Sequence, residues 1–232
     1  MERAGRGGKV ARIALGVVVA VVLVLALAQV FLPGIAASRI RKRVEKYGTV
    51  SSVSVTAWPA VELLWGRAGS VDVRAGNVRL STAQMAELLR QARGAESLHV
   101  TAESLKAGPL QLEDATLQKH GGGLAASAWA SAAAVQAALG RGLEVRLLRS
   151  GGGQVELSVT GGLFGVQASV QAVAEAAEGK VVLHPRGFLL ETLKLTLLDE
   201  PGVYVEGVGA SATTGPSGKG AGYRLSFRAS LR

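Results

Sequence analysis

The sequence predicts an α+β fold: a long, twisted, mostly antiparallel β-sheet with two or three short helices, preceded by one N-terminal transmembrane helix. Three observations lead there. Residues 13–32 carry no charge and are almost wholly aliphatic. From Thr49 onward, apolar and polar residues alternate with a period of two. Short glycine-rich breaks, rather than helix-length segments, separate most of the alternating stretches.

The N-terminal element comes first. Residues 1–12 form a basic n-region with Arg3, Arg6, Lys9 and Arg12. Twenty uncharged residues follow, Ile13 to Leu32. As a helix they rise about 30 Å, the thickness of a bilayer's hydrocarbon core. A soluble helix would show a polar face, and this one has none. Ala26-Leu27-Ala28 offers a small-x-small cleavage site, so a signal peptide cut after Ala28 would release a secreted domain. The apolar run continues through Val30, Phe31 and Leu32, which favours a retained anchor. A signal-like start leaves the N-terminus in the cytoplasm. The expectation is a single pass through the cytoplasmic membrane, with the rest of the chain extracytoplasmic.

Pro33 and Gly34 are expected to end the hydrophobic helix. The segment 33–48 then holds a second helix, Ile35–Tyr47, with Ile40, Val44 and Tyr47 at helical spacing and Gly48 as its stop. Its other face carries Arg39, Arg41, Lys42 and Arg43. That face suits anionic headgroups, and the helix equally suits a linker packed on the domain with its charges in water.

The domain proper, 49–232, opens with Val53 and Val55, then Val71 and Val73 around Asp72. Similar alternation runs through Leu98-Val100-Ala102, Leu110-Leu112, Leu143-Val145-Leu147, Val155-Leu157-Val159, Val166-Ala168-Val170, Val203-Val205 and Leu225-Phe227. Each reads as a strand with one wet face. Breaks such as Gly121-Gly122-Gly123 and Gly151-Gly152-Gly153 suit hairpins, hence antiparallel pairing. Two internal helices are expected. One follows the capping-box spacing of Ser81 and Gln84 and carries Met85, Leu88, Leu89 and Ala92. The other is Ala132–Leu139, between Ser131 as N-cap and Gly140 as C-cap.

Charge and composition narrow the function. The formal net charge is +9, and without residues 1–28 it is +6, from 22 basic and 16 acidic side chains. Anionic lipid, glycan or nucleic acid would all suit that balance. Scarce, scattered aromatics argue against nucleic acid. The absence of cysteine excludes disulfides, thiolate metal sites, a cysteine nucleophile and a lipobox. His99, His120 and His184 have no neighbours at metal-ligand spacing. Gly209–Thr213 lacks the closing glycine of a nucleophile elbow. Gly215–Gly220 lacks the hydroxyl residue of a P-loop and reads as a hairpin turn. Asp199 and Glu200 read as solvated turn charges. No catalytic residue, metal or cofactor is expected.

Two apolar features stand apart. Trp58-Pro59, Leu63, Leu64 and Trp65 bring two of the three tryptophans into one segment. They read either as a core plug at a sheet edge or as a hydrophobic lip at the membrane interface or an acyl-chain cavity. Leu163-Phe164, between Gly162 and Gly165, reads as a buried turn or as a tip able to enter lipid.

Several motifs occur in an order that resembles the LmeA-like phospholipid-binding proteins of the bacterial cell envelope. Leu32-Pro33 leads into a basic helix, and a strand reaches the aromatic-proline pair Trp58-Pro59, followed by Leu63-Leu64 and Gly66-Arg67. Val71-Asp72-Val73 comes next, then Val181-Val182-Leu183-His184-Pro185, the turn Leu198-Asp199-Glu200-Pro201-Gly202-Val203, and a last strand, Tyr223–Arg232. The family usually has Phe before that first proline. The resemblance implies phospholipid binding, a role in envelope lipid or glycolipid assembly, and no catalytic residues. The expected architecture is then a sheet curled around an apolar groove. Trp58, Pro59, Leu63, Leu64, Trp65, Leu163 and Phe164 are its candidate lipid contacts, and Arg39, Arg41, Lys42, Arg43 and Arg67 the candidates for headgroups. The rival expectation is an anchored scaffold without a lipid cavity, docking an envelope glycosyltransferase or secretion partner.

Overall fold

The computed structural model describes residues 29, 31–58, 60–65, 67–139, 143–163, 166–186, 195–199 and 202–231. A helix, α1, covers 31–44. It runs through Pro33 and Gly34 without a break, contrary to the expected stop there. Residue 29 is helical as well, so helical residues lie on both sides of Pro33, and Gly34 faces solvent. The expected membrane span lies almost wholly outside the described residues. Among those described, no helix is long and apolar enough to cross a membrane.

The rest is mostly strand, in two open sheets. The larger sheet has seven strands, in the spatial order β1-β2-β3-β4-β5-β12-β11. These are β1 (Gly48–Thr56), β2 (Ala68–Leu80), β3 (Ala95–Ala107), β4 (Leu110–His120), β5 (Gly123–Ser131), β12 (Ala221–Leu231) and β11 (Val203–Thr214). The smaller is β10-β9-β8-β7-β6, comprising β6 (Leu143–Gly151), β7 (Gln154–Leu163), β8 (Val166–Ala177), β9 (Lys180–Arg186) and β10 (Leu195–Leu198). Two sheets replace the single long one expected. The smaller arises from residues inserted between β5 and β11, whose hairpins pair locally.

One pairing departs from the antiparallel expectation. β2 and β3 run parallel, joined by α2 (Thr82–Ala92). A helix between two strands is the crossover a parallel pair needs. α2 begins where the spacing predicted: Gln84 N–H donates to Ser81 Oγ at 3.3 Å and Ser81 N–H to Gln84 Oε1 at 2.8 Å. α3 (Ala132–Leu139) is capped by Ser131, whose Oγ accepts from Ala134 N–H at 3.0 Å. Its expected C-cap, Gly140, lies outside the described residues.

The alternation of the sequence becomes two unlike faces of the large sheet. Cross-strand register aligns Val53, Val73, Val100, Leu117, Ala126, Phe227 and Val208 in one row across all seven strands. Ser54, Asp72, His99, Gln118, Ala125, Arg228 and Gly207 form the neighbouring row on the opposite face. One surface is apolar and the other polar because side chains alternate along every strand and the registers hold them in phase.

α1 covers the β1–β3 part of the apolar face. Ala36, Ala37 and Ile40 pack on the buried cluster of Val55, Val71, Val73 and Ala95. Tyr47 packs on Ala75, Val78 and Ala102. At the other side of the sheet, hairpin turns of the smaller sheet close the edge of β11. Val205 N–H donates to Gly179 O at 2.8 Å, Val208 N–H to Gly153 O at 3.0 Å, and Ala210 N–H to Ser150 Oγ at 3.0 Å. Glycine permits this approach. Gly179 has φ of 78° and lies where a β-carbon would strike the Tyr204 ring, and Gly153 lies against the backbone of Gly207.

Candidate lipid- and membrane-binding surface

α1 and β1 run antiparallel, so the start of α1 and the end of β1 meet at one end of the molecule. Tyr47 fixes one end of this arrangement, with its carbonyl accepting from Arg79 N–H at 2.8 Å. Ala36 and Ala37 fix the other, against the cluster that includes Val55, Leu63 and Ala68. Between β1 and β2 the chain makes a 3₁₀ turn, Ala60–Trp65. That turn splits the aromatic segment. Ala60 is buried and Leu63 packs on the core, whereas Trp58 is 84% exposed and Trp65 72%. Ala60 and Leu63 therefore join the core, and the two tryptophans stand outside it. Pro59 lies outside the described residues, as does the side chain of Leu64.

Phe31 and Ile35, which sequence reasoning did not single out, project from the first turns of α1 and are 62% and 49% exposed. They lie at i and i+4, and Arg39 continues the same stripe. Arg41, Lys42 and Arg43 are exposed further along α1, and Arg67 is exposed just after the tryptophan turn. Leu163 is the last residue of β7, with its side chain outside the described residues. Phe164 lies outside them altogether. The structure thus brings Trp58, Trp65, Arg67 and the head of α1 to one end, and β7 belongs to the other sheet.

Two hollows lie elsewhere, and both are open. The larger, about 470 Å³, crosses β2 to β11 and reaches the polar face of the seven-stranded sheet. β5 contributes Gly123, Leu124 and Ala125 to it, and His99, Gln118, His120, Glu206 and Arg228 line it together with Leu98 and Ala229. It is an open hollow of mixed apolar and polar lining rather than a continuous apolar groove. The smaller, about 210 Å³, sits on the small sheet beside His184. His184 Nε2 lies 3.0 Å from Glu175, and Arg186 lies 3.2 Å from Glu156. The apolar character is instead on the other face of the large sheet, where Leu117, Ala126 and Phe227 stay partly exposed beyond the reach of α1. Sequence alternation could not single out that row, because the row exists only once six registers are known.

Electrostatics at these places is mild. Lys119 is buried and its Nζ donates to Ala95 O. Burial pushes this ammonium below its usual value, with Glu96 opposing. Lys180 is pushed up by its hydrogen bond to Asp199, and Lys219 by its hydrogen bond to Glu113. The Gly215–Gly220 stretch is the β11–β12 turn. Among the described residues, no three His, Asp or Glu side chains gather closely enough to hold a metal ion.

The family model for LmeA-like phospholipid-binding proteins matches residues 25–217. This chain belongs to that family. The match runs from the end of the apolar N-terminal run, through the whole small sheet, to the β11–β12 turn of the LmeA-like domain. No curated protein and no solved structure matches the chain.

Proposed function

We propose that this protein is a membrane-anchored, extracytoplasmic phospholipid-binding protein that acts in envelope lipid or glycolipid assembly. Its partners on this reading are phospholipid or another anionic lipid, and the membrane itself. Family membership supports the ligand class. The observation that carries the reading is the half-covered apolar row of the large sheet. α1 covers that row over β1–β3 and leaves Leu117, Ala126 and Phe227 partly open. An acyl chain laid along them would gain about 0.8 kcal/mol for each methylene buried, without any specific polar contact. The run Ile13–Leu32 supplies the anchor and the basic face of α1 the attraction to anionic headgroups. We assign the protein no catalytic step.

Native mass spectrometry of the gently extracted full chain tests this reading, because a retained lipid reveals its own mass. Phospholipid should come with the wild type. Phe227→Asp, which places a carboxylate on the apolar row, should reduce the lipid-bound fraction about tenfold or more. Wild-type protein carrying no lipid, and failing to float with vesicles, would dismiss the proposal.

A further inference from the structure

Six large hydrophobic side chains stand exposed among the described residues: Phe31, Ile35, Trp58, Trp65, Leu148 and Leu195. Four of the six gather at one end. Phe31 and Ile35 lie within two turns of Ala36 and Ala37, which touch the cluster holding Val55, Leu63 and Ala68. Trp58 follows Val55 by three residues, and Trp65 precedes Ala68 by three. At 1.5 Å per helical residue and about 3.3 Å per strand residue, each of the four falls within roughly 10 Å of that common cluster. Two largely bare indoles are a costly exposure for a protein surface facing only water, and Trp is enriched where one side of a ring meets hydrocarbon and the other meets water.

Chain continuity names the occupant. Phe31 and Leu32 are at once the first residues of α1 described continuously and the last of the twenty-residue uncharged run. Where that run enters a bilayer, the end of the domain carrying Trp58 and Trp65 is the end beside it. Arg39 on the same stripe and Arg67 after the turn bring positive charge to the rim of the apolar patch, at the depth of lipid headgroups. We infer that Trp58 and Trp65 sit in the bilayer interface and, with Phe31 and Ile35, hold the domain end-on to the membrane. The loop between β1 and β2 is then the lipid-facing end. This rests on the anchoring proposed above and adds an orientation to it.

Tryptophan quenching reads that orientation. The full chain would be reconstituted into vesicles of phosphatidylcholine and phosphatidylglycerol whose acyl chains are brominated near the headgroup. Trp129 is 1% exposed and inside the fold, so it serves as an internal control. Wild-type emission should fall by about half, since two of the three indoles reach the interface. In the Trp58→Phe/Trp65→Phe variant, which alters only exposed rings, the remaining emission should fall by less than about a tenth. Vesicle-bound wild type that is not quenched overturns the orientation and leaves the anchor intact. Equal fractional quenching in wild type and variant overturns it as well. Protein that fails to float with the vesicles removes the anchor, and the orientation with it.

Discussion

Lys119 stands in the middle of an otherwise apolar row. Register places it between Leu98 on β3 and Leu124 on β5, and it is the only buried charged side chain among the described residues. Its ammonium is lowered by burial, so the unfolded chain holds that proton more tightly than the folded one. Between the lowered value and the ordinary lysine value of about 10.4, unfolding takes up a proton, and stability rises with pH. Wild type should therefore gain on Lys119→Met as pH climbs from neutral into that window, a trend that thermal melts of both proteins would reveal. A difference in Tm that stays flat with pH would contradict it. Trp129 sets a second expectation. It is fully buried under the β11–β12 turn, where Gly222 approaches so closely that an added β-carbon would meet both the indole and Ala130 O. Gly222→Ala should cost about 1–3 kcal/mol in denaturant unfolding, by overpacking that site.

At the scale of the element, what the sequence revealed depended on local signals. α2 and α3 lie where a cap and an apolar stripe predicted them, and the glycine breaks at 121–123 and 151–153 became tight turns. Ser81→Ala should cost about 1 kcal/mol by removing one arm of the capping box, checked as a shift in the urea midpoint with an unchanged slope. β5 was not legible. Ala125, Ala126, Ala128 and Ala130 carry weak strand preference, and only pairing with β4 and β12 on either side makes them extended. The parallel β2–β3 pair was missed for a different reason. A capping box and an apolar stripe mark α2, but no local signal sets whether the strands on either side of it become neighbours. Pro33-Gly34 did not act as a stop, since helical residues lie before and after the pair.

For the whole molecule, period-two alternation revealed that strands would have wet and dry sides, and it could not reveal how many sheets they would form. Trp58 and Trp65 were visible as an unusual pair in the sequence, but their separation from Leu63 depended on the 3₁₀ turn that points them outward. The half-covered apolar row and the hollow beside His99 and His120 are products of register across distant segments, and no local pattern encodes them. Membrane attachment should follow the same division. Deleting residues 1–32 should abolish flotation of the protein at physiological ionic strength or make it depend steeply on anionic lipid and low salt, since the basic face of α1 and two indoles would be all that remained. Unchanged, salt-insensitive flotation would show that the run is not the anchor.

β12, the last strand of the chain, does not lie at a border. It pairs with β5 on one side and β11 on the other, and β11 in turn carries the turns of the small sheet. The two halves of the molecule are thus joined through the eleven residues of β12. Without them, the strands of 48–131 form a five-stranded fragment with an unzipped flank, and β6 to β10 pair only among themselves. β12 is therefore the seam between the pieces, and a variant whose β12 cannot pair would leave two fragments on one tether instead of a sheet short of one strand.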